Sequence, residues 1–101
     1  MTVLTVFRSR LRDGAYDAGY AGTAADMLAR AEAMPGFVSF KSFTADDGER
    51  VSVIEFDTDE HQQAWARDAQ HRDAQAAGRT SYYDEYRLTV AHVTRDHTWT
   101  R

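Results

Sequence analysis

The sequence predicts an α+β domain in which an antiparallel sheet carries helices on one face. Several segments alternate apolar and polar residues with the two-residue period of strands, and other segments show the spacing of helices. These segments follow one another in the order β-α-β-β-α-β, which is that of the ferredoxin-like arrangement. The 101 residues predict one domain, with a core over residues 3–95 and a polar tail over residues 96–101.

The first strand and the first helix are predicted over residues 2–11 and 16–33. The helix carries apolar residues at helical spacing and is stopped by Pro35 and the glycine after it. Gly19 and Gly22 weaken its N-terminal half, because glycine costs up to ~1 kcal/mol relative to alanine in a helix. The sequence therefore indicates that this helix frays or starts late.

The middle of the chain predicts a β-hairpin. The strands are Phe37–Thr44 and Arg50–Phe56, and both alternate apolar with polar side chains. Asp47 and Gly48 lie between them, and glycine tolerates the positive φ that tight hairpin turns require.

The second half of the chain predicts a broken helix followed by a strand. Thr58 is a good N-cap for a helix that ends near Arg67. Asp68 can cap a second helical piece over residues 69–81, and the last strand covers residues 83–93.

Apolar residues occur on both faces of the predicted strands. In the first strand Val3, Thr5 and Phe7 face one way, while Leu4 and Val6 face the other. Helices cover only one face of a ferredoxin-like sheet, so the other face needs a cover of its own. We expect a homodimer in which a second sheet supplies it.

Composition excludes several classes of function. The chain has no cysteine, so disulfides, thiol catalysis and thiolate metal sites are excluded. The net charge is −4 without a basic block, so we expect no nucleic-acid partner. The sequence contains neither a signal-peptide pattern nor an apolar run of membrane-spanning length, so we expect a cytoplasmic protein with no membrane partner.

Several motifs resemble the antibiotic biosynthesis monooxygenase family over residues 3–95. The matching residues are Met34-Pro-Gly-Phe-Val-Ser-Phe-Lys-Ser-Phe43, Asp47-Gly48-Glu-Arg-Val-Ser-Val53, Trp65, His71, Ala74-Gln75, Gly78-Arg79 and Tyr83 with Tyr86. The resemblance implies a dimeric α+β barrel with a pocket between sheet and helices in each subunit. It also implies oxidation of small aromatic or polyketide-like molecules by O₂ without metal or flavin, although some relatives degrade haem and others have no established activity.

The site positions of the family are only partly matched. Trp65 falls at the helix tryptophan of the haem-degrading relatives, whereas Gln75 and Phe7 stand where those relatives have an axial histidine and an asparagine. Phe56 and Ser52 stand where the polyketide-oxidising relatives have a tryptophan and an asparagine. The resemblance therefore implies the fold more firmly than the reaction.

A cofactor-free oxygenase needs a base near neutral pH and donors for the anion that forms. His71 is the best candidate base, since imidazole titrates in this range; the alternative is that it caps the second helical piece. Tyr83 and Tyr86 are candidate donors, or amphipathic packing residues at the sheet edge.

The candidates for substrate binding are Trp65, Gln75, Phe56, Phe7 and Arg79, the two phenylalanines because of the family positions that they occupy. Trp65 can stack on a planar substrate or belong to the core. Gln75 shares a helix face with His71. Arg79 can hold an anionic group, or more often pair with a carboxylate such as Asp84.

We expect no cofactor and no metal. The four histidines form no HxH or HExxH pattern, and no glycine-rich phosphate loop or nucleophile elbow is present. The leading hypothesis is a cofactor-independent monooxygenase acting on a small aromatic ligand. The alternatives are a ligand-binding or structural dimer without turnover, and an isomerase or cyclase that uses His71 for proton transfer alone.

Overall fold

A computed structural model describes residues 2–101, apart from the side chains of residues 69–71. The elements follow the predicted order, and the sheet is antiparallel with strand order β2-β3-β1-β4, so the predicted fold class is confirmed. The strands are β1 (Val3–Leu11), β2 (Phe37–Thr44), β3 (Arg50–Phe56) and β4 (Tyr83–His92); the helices are α1 (Tyr20–Ala33), α2 (Asp59–Ala66) and α3 (Ala69–Ala77). Over the described residues, no helix is long and apolar enough to cross a membrane.

The strand register decides which side chains share a face. Val3 pairs with Phe56 and Thr5 pairs with Ile54, and directly paired residues of antiparallel strands point to the same side. All four are nearly inaccessible to solvent and lie on the side that the helices cover. This helix-covered face carries the core.

The opposite face of the sheet, the open face, is also partly apolar. Leu4 and Val6 of β1 lie there beside Val51 and Val53 of β3, since Leu4 pairs with Glu55 and the pairing alternates along the strand. Phe43 lies on the same face and is 51% exposed. The prediction of apolar side chains on both faces agrees with this register.

Helix α1 begins at Tyr20, four residues after the start predicted at Tyr16. Gly19 precedes the helix with a φ of 100°, a left-handed conformation that residues with a Cβ adopt only with strain. Residues 13–19 form turns instead, and Tyr16 is 60% exposed there. The late start indicated by the glycines is therefore confirmed, and it arises because Gly19 is part of a turn and not a weak helical residue.

Capping fixes the start of α2 as predicted. The side chain of Thr58 accepts a hydrogen bond from the backbone N–H of His61 at 3.1 Å, and Arg67 closes the helix. Asp68 follows, and its Oδ2 accepts hydrogen bonds from Nη2 of Arg30 at 2.6 Å and from Nε at 3.1 Å. This ion pair ties α1 to the junction between α2 and α3.

The second helical piece covers the predicted range, but its last turn has a different geometry. The α-helix stops at Ala77 and continues as a π-helical turn over Gly78–Tyr82, which the sequence did not predict. The N–H of Tyr83 donates to the carbonyl of Gly78, five residues earlier, and this wider turn leads directly into β4.

Candidate functional site

A cavity of about 480 Å³ lies between the helix-covered face of the sheet and the helices. Strands β1, β2 and β3 form its floor, and α1 forms one wall along Tyr20, Ala24 and Leu28. Ala74 and Gln75 of α3 complete the lining on the other side. The volume lies within the range of small-molecule sites in proteins.

The inner end of the cavity is closed by core aromatic residues. Trp65 is only 3% exposed, and its ring centroid lies 5.4 Å from that of Phe56. Phe56 is fully buried between Phe37 and Trp65 and does not line the cavity. The sequence placed Phe56 in contact with substrate; in the structure it supports the wall behind the cavity. Trp65 does line the cavity, but little of its surface is open for stacking.

An aromatic cluster forms the wall beside β4. The ring of Tyr83 packs edge-on against Phe7 at 5.4 Å and against Tyr20 at 6.1 Å, and Tyr20 packs on Tyr82 at 5.6 Å. The π-helical turn produces this arrangement because it delivers the consecutive residues Tyr82 and Tyr83 to the same wall. Edge-to-face packing fixes ring orientation, so the hydroxyl groups are held in place.

Tyr83 is held in its neutral form. Burial raises the pKa of its phenol well above the ordinary value of 10, and the neighbouring Tyr20 hydroxyl raises it further. A phenol with a raised pKa stays protonated at neutral pH and can donate a hydrogen bond. The hydroxyl of Tyr83 therefore suits the role of donor to a developing oxyanion and not the role of base.

Hydroxyl groups line the rest of the cavity. Ser42 and Ser52 are joined by a hydrogen bond of 2.7 Å across β2 and β3, and Thr23 and Tyr82 by one of 2.8 Å between α1 and the π-helical turn. Each hydroxyl has both donor and acceptor capacity, so these pairs can orient the polar groups of a ligand.

Arg50 is a cavity residue that the sequence analysis missed. Its guanidinium lies 5.6 Å from the ring centroid of Tyr20 and donates to the hydroxyl of Tyr16 at 3.3 Å. One signal was available in the sequence: the two-residue period of β3 puts Arg50 on the same face as Ile54 and Phe56, where an arginine is unusual.

The remaining predicted site residues are divided between the cavity and its surroundings. Phe7, Gln75 and Tyr83 line the cavity. Tyr86 and Arg79 lie outside the lining, and the hydroxyl of Tyr86 accepts a hydrogen bond from Nη1 of Arg79 at 3.2 Å.

The sequence predicted an ion pair for Arg79 and a catalytic role for His71. The ion pairs found among residues 2–101 do not include one between Arg79 and Asp84. The side chain of His71 lies outside the described residues, so its role stays a prediction.

Among the described part of the chain, no group of His, Cys, Asp and Glu side chains is arranged to hold a metal ion.

Comparison with solved structures identifies the fold. Rv0793 from Mycobacterium tuberculosis superimposes with a TM-score of 0.79 at 17% identity, covering 97% of this chain and 100% of that one. A variant of SnoaB, a cofactor-independent oxygenase from Streptomyces nogalater, gives 0.79 at 13% identity, covering 94% and 95%. The protein thus has the fold of antibiotic biosynthesis monooxygenase-type proteins, as the sequence motifs indicated.

A sequence relative defines the family more narrowly. The chain is 33% identical over 79 residues to the uncharacterized protein YqjZ of Bacillus subtilis, a match that covers 78% of this chain and 69% of YqjZ. It belongs to the same family as YqjZ. No known family profile matches the chain.

Proposed function

We propose that the protein is a cofactor-independent monooxygenase that oxidises a small planar aromatic or polyketide-like molecule with O₂. The observation that carries the proposal is the aromatic-walled cavity with the neutral hydroxyl of Tyr83 at its wall. The fold that this chain shares with SnoaB, a cofactor-independent oxygenase, supports the same chemistry.

The reaction needs no external reductant if the substrate is an electron-rich phenol. A base takes the hydroxyl proton, and the resulting anion gives electrons to O₂ at a ring carbon. One oxygen atom stays on that carbon as the new quinone oxygen, and the other leaves as water with the two hydrogens that the substrate loses. The substrate supplies all the electrons, so the protein has only to bind, deprotonate and stabilise the anion.

We assign the base role to His71 and the donor role to Tyr83. His71 belongs to α3, four residues before the cavity residue Gln75, which is about one helical turn. No histidine and no carboxylate is among the described residues that line the cavity, so the described lining offers no competing base.

Oxygen consumption with a panel of planar phenols and enols tests this function. Replacing His71 with alanine should lower turnover by ~10²–10⁴-fold, as expected for a general base. Tyr83→Phe should lower it by ~10²–10³-fold, as expected for loss of an oxyanion donor. Tyr86→Phe is the matched control, since its hydroxyl faces Arg79 outside the cavity, and should change turnover little.

A ligand-binding role without turnover is the second candidate. The lining combines aromatic walls with hydrogen-bonded hydroxyl pairs, which would suffice to bind and orient a ligand. A phenol that binds without oxygen uptake would support this role and contradict the oxygenase. Conversion of a ligand under anaerobic conditions would instead assign an isomerase or cyclase.

We also propose a homodimer formed through the open face of the sheet. The apolar side chains Leu4, Val6, Val51 and Val53 support it, because they lie on the face opposite to the core that the helices cover. A second copy of the chain is the partner we expect, because its sheet carries the same apolar side chains on the same face.

A further inference from the structure

An arginine, Arg50, lines the cavity at the start of strand β3. Arg50 is the first residue of β3 and pairs with Ser9 of β1 and Thr44 of β2, so its side chain lies on the helix-covered face. It is half-buried and contributes to the cavity lining. An arginine in this position gives up part of its hydration when the protein folds.

The contacts of the Arg50 guanidinium are with neutral groups. The ring of Tyr20 lies 5.6 Å away, and the hydroxyl of Tyr16 accepts one hydrogen bond at 3.3 Å. The ion pairs that arginines form in the described part of the chain belong to Arg8, Arg10 and Arg30. Arg50 therefore keeps most of its five donors available for a ligand.

The described lining of the cavity lacks acidic side chains although the protein is acidic, whereas a second pocket on the Tyr16 side of Arg50 includes Asp47 and Asp84. The chain as a whole carries a net charge of −4, yet no aspartate or glutamate is among the described residues that line the cavity. Lys41 also borders the cavity, but it pairs with Val53, so its side chain lies on the open face. Of the two described cationic residues that border the cavity, Arg50 is the one whose side chain lies on the helix-covered face. Its positive charge favours an anionic ligand.

We propose that Arg50 anchors a carboxylate of the substrate, which makes the substrate class a planar aromatic acid. The planar fork of the guanidinium matches a carboxylate, and Tyr20 and Tyr16 hold that fork in place. Aromatic walls at Phe7 and Tyr83 would take the rings of such a molecule. The identification of the ligand as a substrate rests on the proposed function, whereas the binding of a carboxylate by Arg50 can be measured without turnover.

The anchor and the proposed donor border the same cavity and share Tyr20 as a neighbour. Tyr20 contacts both the guanidinium of Arg50 and the ring of Tyr83, so one residue separates the anchor from the proposed donor. The positive charge of Arg50 also acts on the Tyr83 phenol, where it opposes the rise in pKa that burial causes. A ligand ring in the cavity beside Tyr20 would direct its carboxylate toward Arg50 and its reacting hydroxyl toward Tyr83.

Binding of a matched pair of probes tests the anchor without turnover. 2-Naphthoate and 2-naphthamide have the same shape and differ in charge, and their affinities can be measured by calorimetry. We expect the wild type to bind naphthoate about 10- to 100-fold more tightly than naphthamide, as charge-assisted hydrogen bonds imply. Arg50→Gln should abolish this preference and leave naphthamide affinity nearly unchanged.

Two further variants keep the result interpretable. Arg50→Lys keeps the charge but loses the fork, so it should retain part of the preference. Arg79→Gln removes an arginine outside the lining and should retain all of it. A circular dichroism melt of each variant checks that the fold is intact.

Several outcomes would overturn the anchor. They are no binding of naphthoate, equal affinity for the two probes in the wild type, and a preference that persists in folded Arg50→Gln. Displacement of naphthoate by acetate or inorganic phosphate at similar concentrations would also overturn it, since the site would then recognise charge alone. Failure of the proposed oxygenase would appear differently, as tight naphthoate binding with no oxygen uptake from any hydroxylated analogue.

Discussion

Gly78 packs so closely against Tyr83 that a Cβ at position 78 would lie 2.6 Å from Cε2 of the tyrosine ring. The two residues are also joined by the backbone hydrogen bond that closes the π-helical turn. The absence of a side chain at position 78 thus lets the ring of Tyr83 occupy its place in the cavity wall. Tyr83 in turn packs on Phe7 and Tyr20, so the position of the whole aromatic cluster depends on this contact.

Gly78→Ala should destabilise the protein although alanine favours helices. The contact distance is shorter than real Cβ atoms tolerate, so the ring of Tyr83 or the turn must move. Overpacking of this kind costs ~1–3 kcal/mol, more than the ~1 kcal/mol that alanine gains in a helix. Urea unfolding measures the difference, and ligand binding should weaken with the displaced ring.

Gly22→Ala is the matched control for this prediction. Gly22 lies inside α1, and a Cβ there would meet nothing within 4 Å. The same substitution should therefore raise the free energy of unfolding by up to ~1 kcal/mol. Equal stability changes at the two glycines would contradict the steric argument.

Local sequence patterns predicted the order of elements because each pattern acts within a few residues. The hairpin at Asp47-Gly48 and the N-cap at Thr58 need no distant partner, and both occur where predicted. The π-helical turn was not predicted, because it depends on the packing of Gly78 against a ring in the next strand. The late start of α1 was weakly indicated by Gly19, but spacing alone favoured an earlier start.

The cavity was less predictable than the fold, because its lining depends on strand register. Phe7, Gln75 and Tyr83 were found from family motifs and helical spacing. Arg50 and the Ser42–Ser52 pair were missed, since only the pairing of β1, β2 and β3 brings them to the same cavity. Phe56 was misplaced because its family position does not reveal that it packs behind Trp65.

A buried amide between α2 and the helix-covered face of the sheet gives a second stability prediction. Nε2 of Gln62 donates to Oγ1 of Thr5 at 3.2 Å, and the two residues are 4% and 0% exposed. Thr5→Val keeps the shape but leaves the amide of Gln62 without this acceptor. We expect a loss of about 1–3 kcal/mol in the free energy of unfolding, which denaturant titration measures.

The double variant Thr5→Val/Gln62→Leu distinguishes an unpaired amide from a packing defect. Removing both polar partners of a buried hydrogen bond is often nearly neutral, so the double variant should recover much of the stability lost in Thr5→Val. A double variant less stable than either single one would show that shape, and not hydrogen bonding, governs this position.

The lowered pKa of Asp57 gives a prediction for the stability of the protein in acid. Its Oδ1 lies 2.6 Å from Nδ1 of His61, and this hydrogen bond lowers the pKa of Asp57 below its ordinary 3.8. A carboxyl whose pKa is lower in the folded state stabilises the fold above its unfolded pKa, and the contribution is lost as the pH falls through the folded value. Stability should therefore drop more steeply below about pH 4 in the wild type than in Asp57→Asn.

The partner of Asp57 provides the check on this assignment. His61→Gln removes the first cause of the lowered pKa, so it too should flatten the stability curve below about pH 4. Thermal melts of the wild type and both variants at a series of pH values make the comparison. If Asp57→Asn follows the wild-type curve in acid, another carboxyl is responsible for the loss of stability there.

The open face of the sheet gives the last prediction, which concerns assembly. Leu4, Val6, Val51 and Val53 are half-buried within one chain, so a second sheet would cover only their remaining surface. Full burial of each side chain contributes at most ~1.5–3 kcal/mol, and several together offset a modest association cost. We expect light scattering to give the mass of a dimer for the wild type and that of a monomer for Val53→Glu, because a carboxylate on this face would be buried without a partner.

The control variant Ala76→Glu adds the same charge to the exposed side of α3 and should remain dimeric. A wild-type protein that sediments as a stable monomer at micromolar concentration would show that the open face has no second copy bound to it.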